Sequence, residues 1–182
     1  MKREILIAGF GGQGVMAMGK MLVEAGMAEG RWVSWVPSYG PEMRGGNANC
    51  AVILSDRAIG CPLVYHPTDL IVMNPASLEK FGSQVEPGGR IFLNDTPTGG
   101  SSSQNVVQYA LPCDEVAARL GVPRGANMVM LGLFAGVTGL VAPATLEGLL
   151  EHLFSGPKSP LLQGNLDALR GGLEAGEGLR RG

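Results

Sequence analysis

The stretch Glu4-Ile5-Leu6-Ile7-Ala8-Gly9-Phe10-Gly11-Gly12-Gln13-Gly14 decides the fold. Its first half is rich in Ile and Leu with little polar alternation, which fits a strand buried on both faces beneath helices. A glycine cluster closes the strand. Beyond it Val15, Met18, Leu22 and Ala25 recur at helical spacing and predict a helix over Val15–Ala28, stopped by Gly30. Residues 31–36 read as a second strand. Strand, glycine turn, helix and strand in succession form a βαβ pattern and predict an α/β domain.

Downstream, residues 37–46 form a loop rich in turn formers. Strands are expected at 49–54, 69–73, Arg90–Leu93 and 106–110. A short helix is expected at Pro75–Phe81, a turn at Pro87-Gly88-Gly89 and a mobile Gly/Ser loop at 99–104. Another short helix at 114–120 carries acids in its first turn, where the helix dipole favours them. The last third reads as helical, at 127–137, at 143–154 and in a tail with Leu162, Leu166, Leu169 and Leu173. Glycines in that tail weigh against its helix. No repeat or linker stands out, and the 182 residues are expected to form a single domain, 1–182.

Composition narrows the function. The formal net charge is −2 and the pI about 5.7, so nothing calls for nucleic acid, whose phosphates need a clustered basic surface. Charged residues make up 16%, below the usual quarter, which leaves more neutral surface for contact with partners. Cys50, Cys61 and Cys113 are too few and too scattered for a disulfide framework or an iron–sulfur cluster, and read mostly as small buried hydrophobes. His66 and His152 are isolated, without metal-ligand spacing. The chain enters an apolar strand directly, so a cytoplasmic location is expected. Residues 125–146 carry no charge and mimic a membrane span, but Asn127, Thr138, Gly139 and Pro143 break the run, which reads as a buried helix near 128–137.

Gly9, Gly11 and Gly14 satisfy G-x-G-x-x-G between a strand and a helix. Such glycines allow an anion to reach free N–H groups at a helix N-terminus, or simply let strand and helix pack closely. An NAD site would also want an acid at the end of the second strand, yet Ser34-Trp35-Val36-Pro37 stands there, so NAD(P) is not expected. No Gly-Lys-Ser/Thr follows, so this is no P-loop. The second motif, Ser38-Tyr39-Gly40-Pro41-Glu42-Met43-Arg44-Gly45-Gly46, combines an aromatic ring, an acid and a guanidinium among glycines. Arg44 can clamp a phosphate or carboxylate, or pair with Glu42 at the surface.

Together with Asn127-Met128-Val129-Met130-Leu131-Gly132, these two motifs stand in the order and spacing of the gamma subunits of 2-oxoacid:ferredoxin oxidoreductases, which this chain resembles from Ile5 to about Leu173. Asn47 departs from the Thr or Ser expected there. The resemblance implies a three-layer α/β/α sandwich with a mainly parallel or mixed sheet. It implies an enzyme that oxidatively decarboxylates a 2-oxoacid with thiamine diphosphate, magnesium and coenzyme A, and passes electrons to ferredoxin or a similar carrier. Alpha and beta subunits, with a delta or ferredoxin-like subunit, are the implied partners and hold the thiamine and iron–sulfur groups. A homodimer stays open. In keeping with this, the chain has no Gly-Asp-Gly with a distant Asn to bind thiamine and magnesium.

The role this leaves is to help complete a coenzyme A pocket, with Gly11, Gly12, Gln13, Gly14, Tyr39, Arg44, Gly45 and Gly46 as candidate binding residues and no catalytic or metal residue. Tyr39 can stack on a flat ring or pack at an interface. Pyruvate, 2-oxoglutarate, branched-chain and aryl acids remain open as substrates, with a lean to 2-oxoglutarate from the 38–46 loop. The rival reading is a stand-alone nucleotide-binding or scaffold protein of the same fold.

Overall fold

The computed structural model describes residues 1–39, 47–95 and 105–181, which fall into two compact units, Met1–Ala110 and Leu111–Gly182. The first unit contains β1 (Lys2–Phe10), α1 (Val15–Ala28), β2 (Trp32–Tyr39), β3 (Asn47–Ser55), β4 (Asp69–Val72), α2 (Pro75–Phe81), β5 (Arg90–Leu93) and β6 (Val107–Ala110). The expected mobile loop at 99–104 lies outside the described residues.

The six strands form one mixed sheet in the order β2-β3-β1-β4-β5-β6. From β1 through β4 and β5 to β6 the pairings are parallel, whereas β3 is antiparallel to both β1 and β2. The sequence pattern β1-α1-β2 is therefore present, but β2 is not the neighbour of β1. β3 returns from β2 and takes the place between β2 and β1, along the full length of β1, from Lys2↔Ser55 to Phe10↔Asn47. Its Cys50, Val52, Ile53 and Leu54 are almost fully buried, which suits a strand covered on both faces.

β2 extends past the expected end at Val36. Pro37 stands inside it opposite Cys50, where a loop was expected to begin. β2 is an edge strand, so the missing N–H of proline can face away from the ladder without loss. In β1, Leu6 and Ala8 join Leu70, Val72, Ile91, Leu93 and Phe81 of α2 in one cluster, while Ile5 and Ile7 are fully buried on the opposite face. Burying each such isoleucine contributes about 1.5–3 kcal/mol. Cys50 donates its thiol to the Val15 carbonyl at 3.6 Å, and burial pushes its pKa up to about 11. Cys113 is likewise buried, with its pKa pushed up to about 12, whereas Cys61 is exposed.

The second unit contains α3 (Cys113–Arg119), α4 (Ala126–Thr138), α5 (Pro143–Leu153) and α6 (Leu162–Arg181). The uncharged run resolves into α4, a left-handed Gly139 that ends it, and α5 starting at Pro143. Among the described residues no helix is long and apolar enough to cross a membrane. Every residue of α4 from Met128 to Val137 is buried. The glycines that weighed against the tail helix have a specific use. A Cβ placed on Gly172 of α6 would lie 1.9 Å from the Val129 carbonyl oxygen, and one on Gly132 of α4 would lie 2.1 Å from that of Leu169. One turn on, Gly136 and Gly176 meet in the same way, with would-be Cβ contacts of 2.5 Å to the carbonyl oxygens of Leu173 and Leu133. The two helices touch backbone to backbone, and dispersion from that close approach offsets the low helix propensity of glycine.

Candidate functional site

The glycine loop sits at the C-terminal end of β1, the end at which ligands enter open α/β sheets. Phe10 to Gln13 form a tight turn in which the Gln13 N–H donates to the Phe10 carbonyl at 3.1 Å. Gly12, at φ 98°, occupies the turn position that demands positive φ. Gly14, at φ 77°, is the N-cap of α1, so no side chain caps that helix and no acid lies in its first turn. Its leading N–H groups are therefore left to solvent or a ligand, and the dipole favours an anion there.

The glycines of the loop have different duties. A Cβ on Gly9 would crowd Gln13 Oε1 and Val15 Cγ2 at 2.9 Å and Met73 Cβ at 3.0 Å, so Gly9 allows strand and helix to pack. Gly11 and Gly12 are exposed, and a Cβ on Gly12 would meet nothing within 4 Å. Gly9 thus serves close packing, whereas the space at Gly12 is open.

Gln13 turns inward. Its Oε1 accepts from the Phe10 N–H and from Asn74 Nδ2, both at 2.7 Å, and its Nε2 donates to the Met73 carbonyl at 3.0 Å. Asn94 Nδ2 donates to the same carbonyl at 3.3 Å. Asn74 and Asn94 follow the ends of β4 and β5, and neither was expected from the sequence. The signal for Asn74 was its position before Pro75, since Asn is a favoured N-cap and Pro a favoured first helical residue. Its Oδ1 indeed accepts the Ser77 N–H at 2.8 Å and caps α2.

Register places the two strand ends that flank the second motif. Gly9 pairs with Ala48, Phe10 with Asn47, and Ala48 with Tyr39, so both ends of the 40–46 connection are anchored beside the glycine loop. Arg44, Gly45 and Gly46, and the Tyr39 side chain, lie outside the described part of the structure. The interposed β3 bears on the nucleotide question. An acid at the end of β2 would stand two strand spacings from β1, about 10 Å away, instead of beside the loop as ribose recognition requires.

A second polar cluster lies at the opposite end of the sheet. Asp69 is fully buried, accepts from Arg90 Nε at 2.6 Å and from Thr68 Oγ1 at 2.7 Å, and pins β4 to β5 away from the glycine loop. Among the described residues no three His, Cys, Asp or Glu side chains gather as a metal site needs.

Residues 4–175 match the pyruvate ferredoxin/flavodoxin oxidoreductase family. The chain is 41% identical over 172 residues to the ketoisovalerate oxidoreductase subunit VorA of Methanothermobacter thermautotrophicus, a match covering 93% of this chain and 35% of the relative. It is 31% identical over 151 residues to the 2-oxoglutarate synthase subunit KorC of Methanocaldococcus jannaschii, covering 81% of each. The crystal structure of the keto/oxoacid ferredoxin oxidoreductase gamma subunit from Geobacter sulfurreducens superposes with a TM-score of 0.80 at 26% identity, over 97% of this chain and 99% of that one. The chain spans about a third of the length of the ketoisovalerate relatives it matches. With an α/β fold, a mixed sheet and a family match over nearly its whole length, the chain belongs to the pyruvate ferredoxin/flavodoxin oxidoreductase family.

Proposed function

We propose that this chain is a gamma-type subunit of a cytoplasmic, multi-subunit 2-oxoacid:ferredoxin oxidoreductase, serving as one domain that completes the coenzyme A site and has no catalytic group of its own. The observation that carries this reading is the open, uncapped glycine loop at the head of α1, with Gly12 and Gly14 at positive φ. Coenzyme A presents phosphates, which suit backbone N–H groups at Gly11, Gly12 and Gly14. Gln13 shapes the loop. Tyr39 is suited to the flat adenine ring, and Arg44, with Gly45 and Gly46 beside it, to a phosphate. Coenzyme A supplies the thiol that accepts the acyl group. Thiamine diphosphate, magnesium and the iron–sulfur clusters belong to alpha, beta and delta or ferredoxin-like partners.

The substrate is a 2-oxoacid. The lean to 2-oxoglutarate has support from a relative named for that acid, and a more similar relative is named for ketoisovalerate. The test is co-purification of a tagged chain with its partner subunits, followed by assay on pyruvate, 2-oxoglutarate and ketoisovalerate with coenzyme A and a dye acceptor. The complex is expected to turn over one of these acids and the isolated chain none. Full turnover by the isolated chain, or an undiminished complex lacking it, would refute the proposal.

A further inference from the structure

We infer that Asn74 and Gln13 form a latch that holds the glycine loop in its ligand-ready shape, making both positioning residues for whatever anion the loop binds. This rests on the coenzyme A reading above. The latch has a single consistent wiring. Asn74 Oδ1 is committed to the Ser77 N–H, so Asn74 must present its amine to the loop. That amine meets Gln13 Oε1, which also takes the Phe10 N–H, and Gln13 Nε2 is thereby turned to the Met73 carbonyl. Rotating the Gln13 amide would set donor against donor at Phe10 and Asn74 and acceptor against acceptor at Met73. Asn74 is 9% exposed, so the alternatives water could offer are few. A polar chain thus runs from the cap of α2 across the end of β4 to the turn containing Gly11 and Gly12. A loop held this way loses less freedom when a ligand arrives, which lowers the cost of binding.

Asn74→Asp separates the latch from the helix cap. Asp caps a helix as well as Asn does, so α2 keeps its Ser77 bond. A carboxylate oxygen, however, now faces Gln13 Oε1, and no Gln13 rotamer satisfies all its partners. Gln13→Met is the second variant, close to Gln in size and uncharged, and it removes the contacts to Phe10, Asn74 and Met73 together without adding charge beside the loop. In the reconstituted complex, each should raise the KM for coenzyme A about tenfold with kcat unchanged. In the ligand-free Asn74→Asp complex, hydrogen exchange at the Phe10 amide should quicken about tenfold. Wild-type exchange and wild-type KM would overturn the latch, as would early melting with kcat and KM worsening together. Coenzyme A should also slow exchange at amides 10–16 of the wild-type complex. No slowing there would defeat the coenzyme A reading instead, while the Phe10 exchange rate would still decide the latch.

Discussion

Glycine is used in opposite ways in the two units. In α4 and α6 the missing Cβ is replaced by another backbone, with would-be contacts as short as 1.9 Å at Gly172. In the loop after β1 the space at Gly12 is left open, and what glycine provides is a positive φ. The first use raises stability and the second leaves a surface for a ligand. Substituting alanine at glycines of each kind should therefore produce a graded series, and the gradation tests the distinction.

Gly172→Ala should cause the greatest loss. Backbone lies on the far side of the clash and cannot rotate away, so about 3 kcal/mol or more should be lost, and the chain should melt early or fail to fold in a urea titration. Gly9→Ala is intermediate, because the crowding atoms belong to the side chains of Gln13, Val15 and Met73, and about 1–3 kcal/mol is expected by the same titration. Gly148→Ala should reverse the sign. Gly148 lies inside α5 with nothing within 4 Å of a new Cβ, so helix propensity should raise stability by about 0.5–1 kcal/mol, read as a higher Tm. Arg44→Ala should leave the Tm of the chain nearly unchanged, since an arginine set among Gly40, Gly45 and Gly46 in the sequence has few neighbouring side chains to pack with. In the complex it should raise the KM for coenzyme A about tenfold or more, because a hydrogen bond to a charged phosphate is worth about 1.5–3 kcal/mol. A destabilised chain with normal kinetics would make Arg44 a structural residue.

Local pattern was readable where periodicity is strong. α1, α2 and β5 fall at their expected bounds, and Gly139 and Pro143 separate α4 from α5. The order of strands was not readable, because nothing in residues 47–55 distinguishes an antiparallel insertion from one more parallel strand. That choice is made by pairing with both β1 and β2. The tail was read as helical from its leucines, and α6 is a helix, but the reason it tolerates its glycines was not readable. Gly172 and Gly176 weaken an isolated helix, and only their contact with Gly132 and Gly136 accounts for their presence. At the site, the glycine motif marked the loop, but its division into the packing glycine Gly9 and the open glycine Gly12 depends on where Met73 and Asn74 arrive from a distant part of the chain.

The central claim is that the space at Gly12 belongs to coenzyme A. It is tested most directly by steady-state kinetics of the complex carrying Gly12→Ala over a coenzyme A series. The left-handed backbone makes alanine strained by about 1–2 kcal/mol, but no neighbour obstructs the methyl group, so the complex should assemble. The account predicts a KM for coenzyme A raised about tenfold or more, with the KM for the 2-oxoacid unchanged. An unchanged KM for coenzyme A in an assembled Gly12→Ala complex would contradict it.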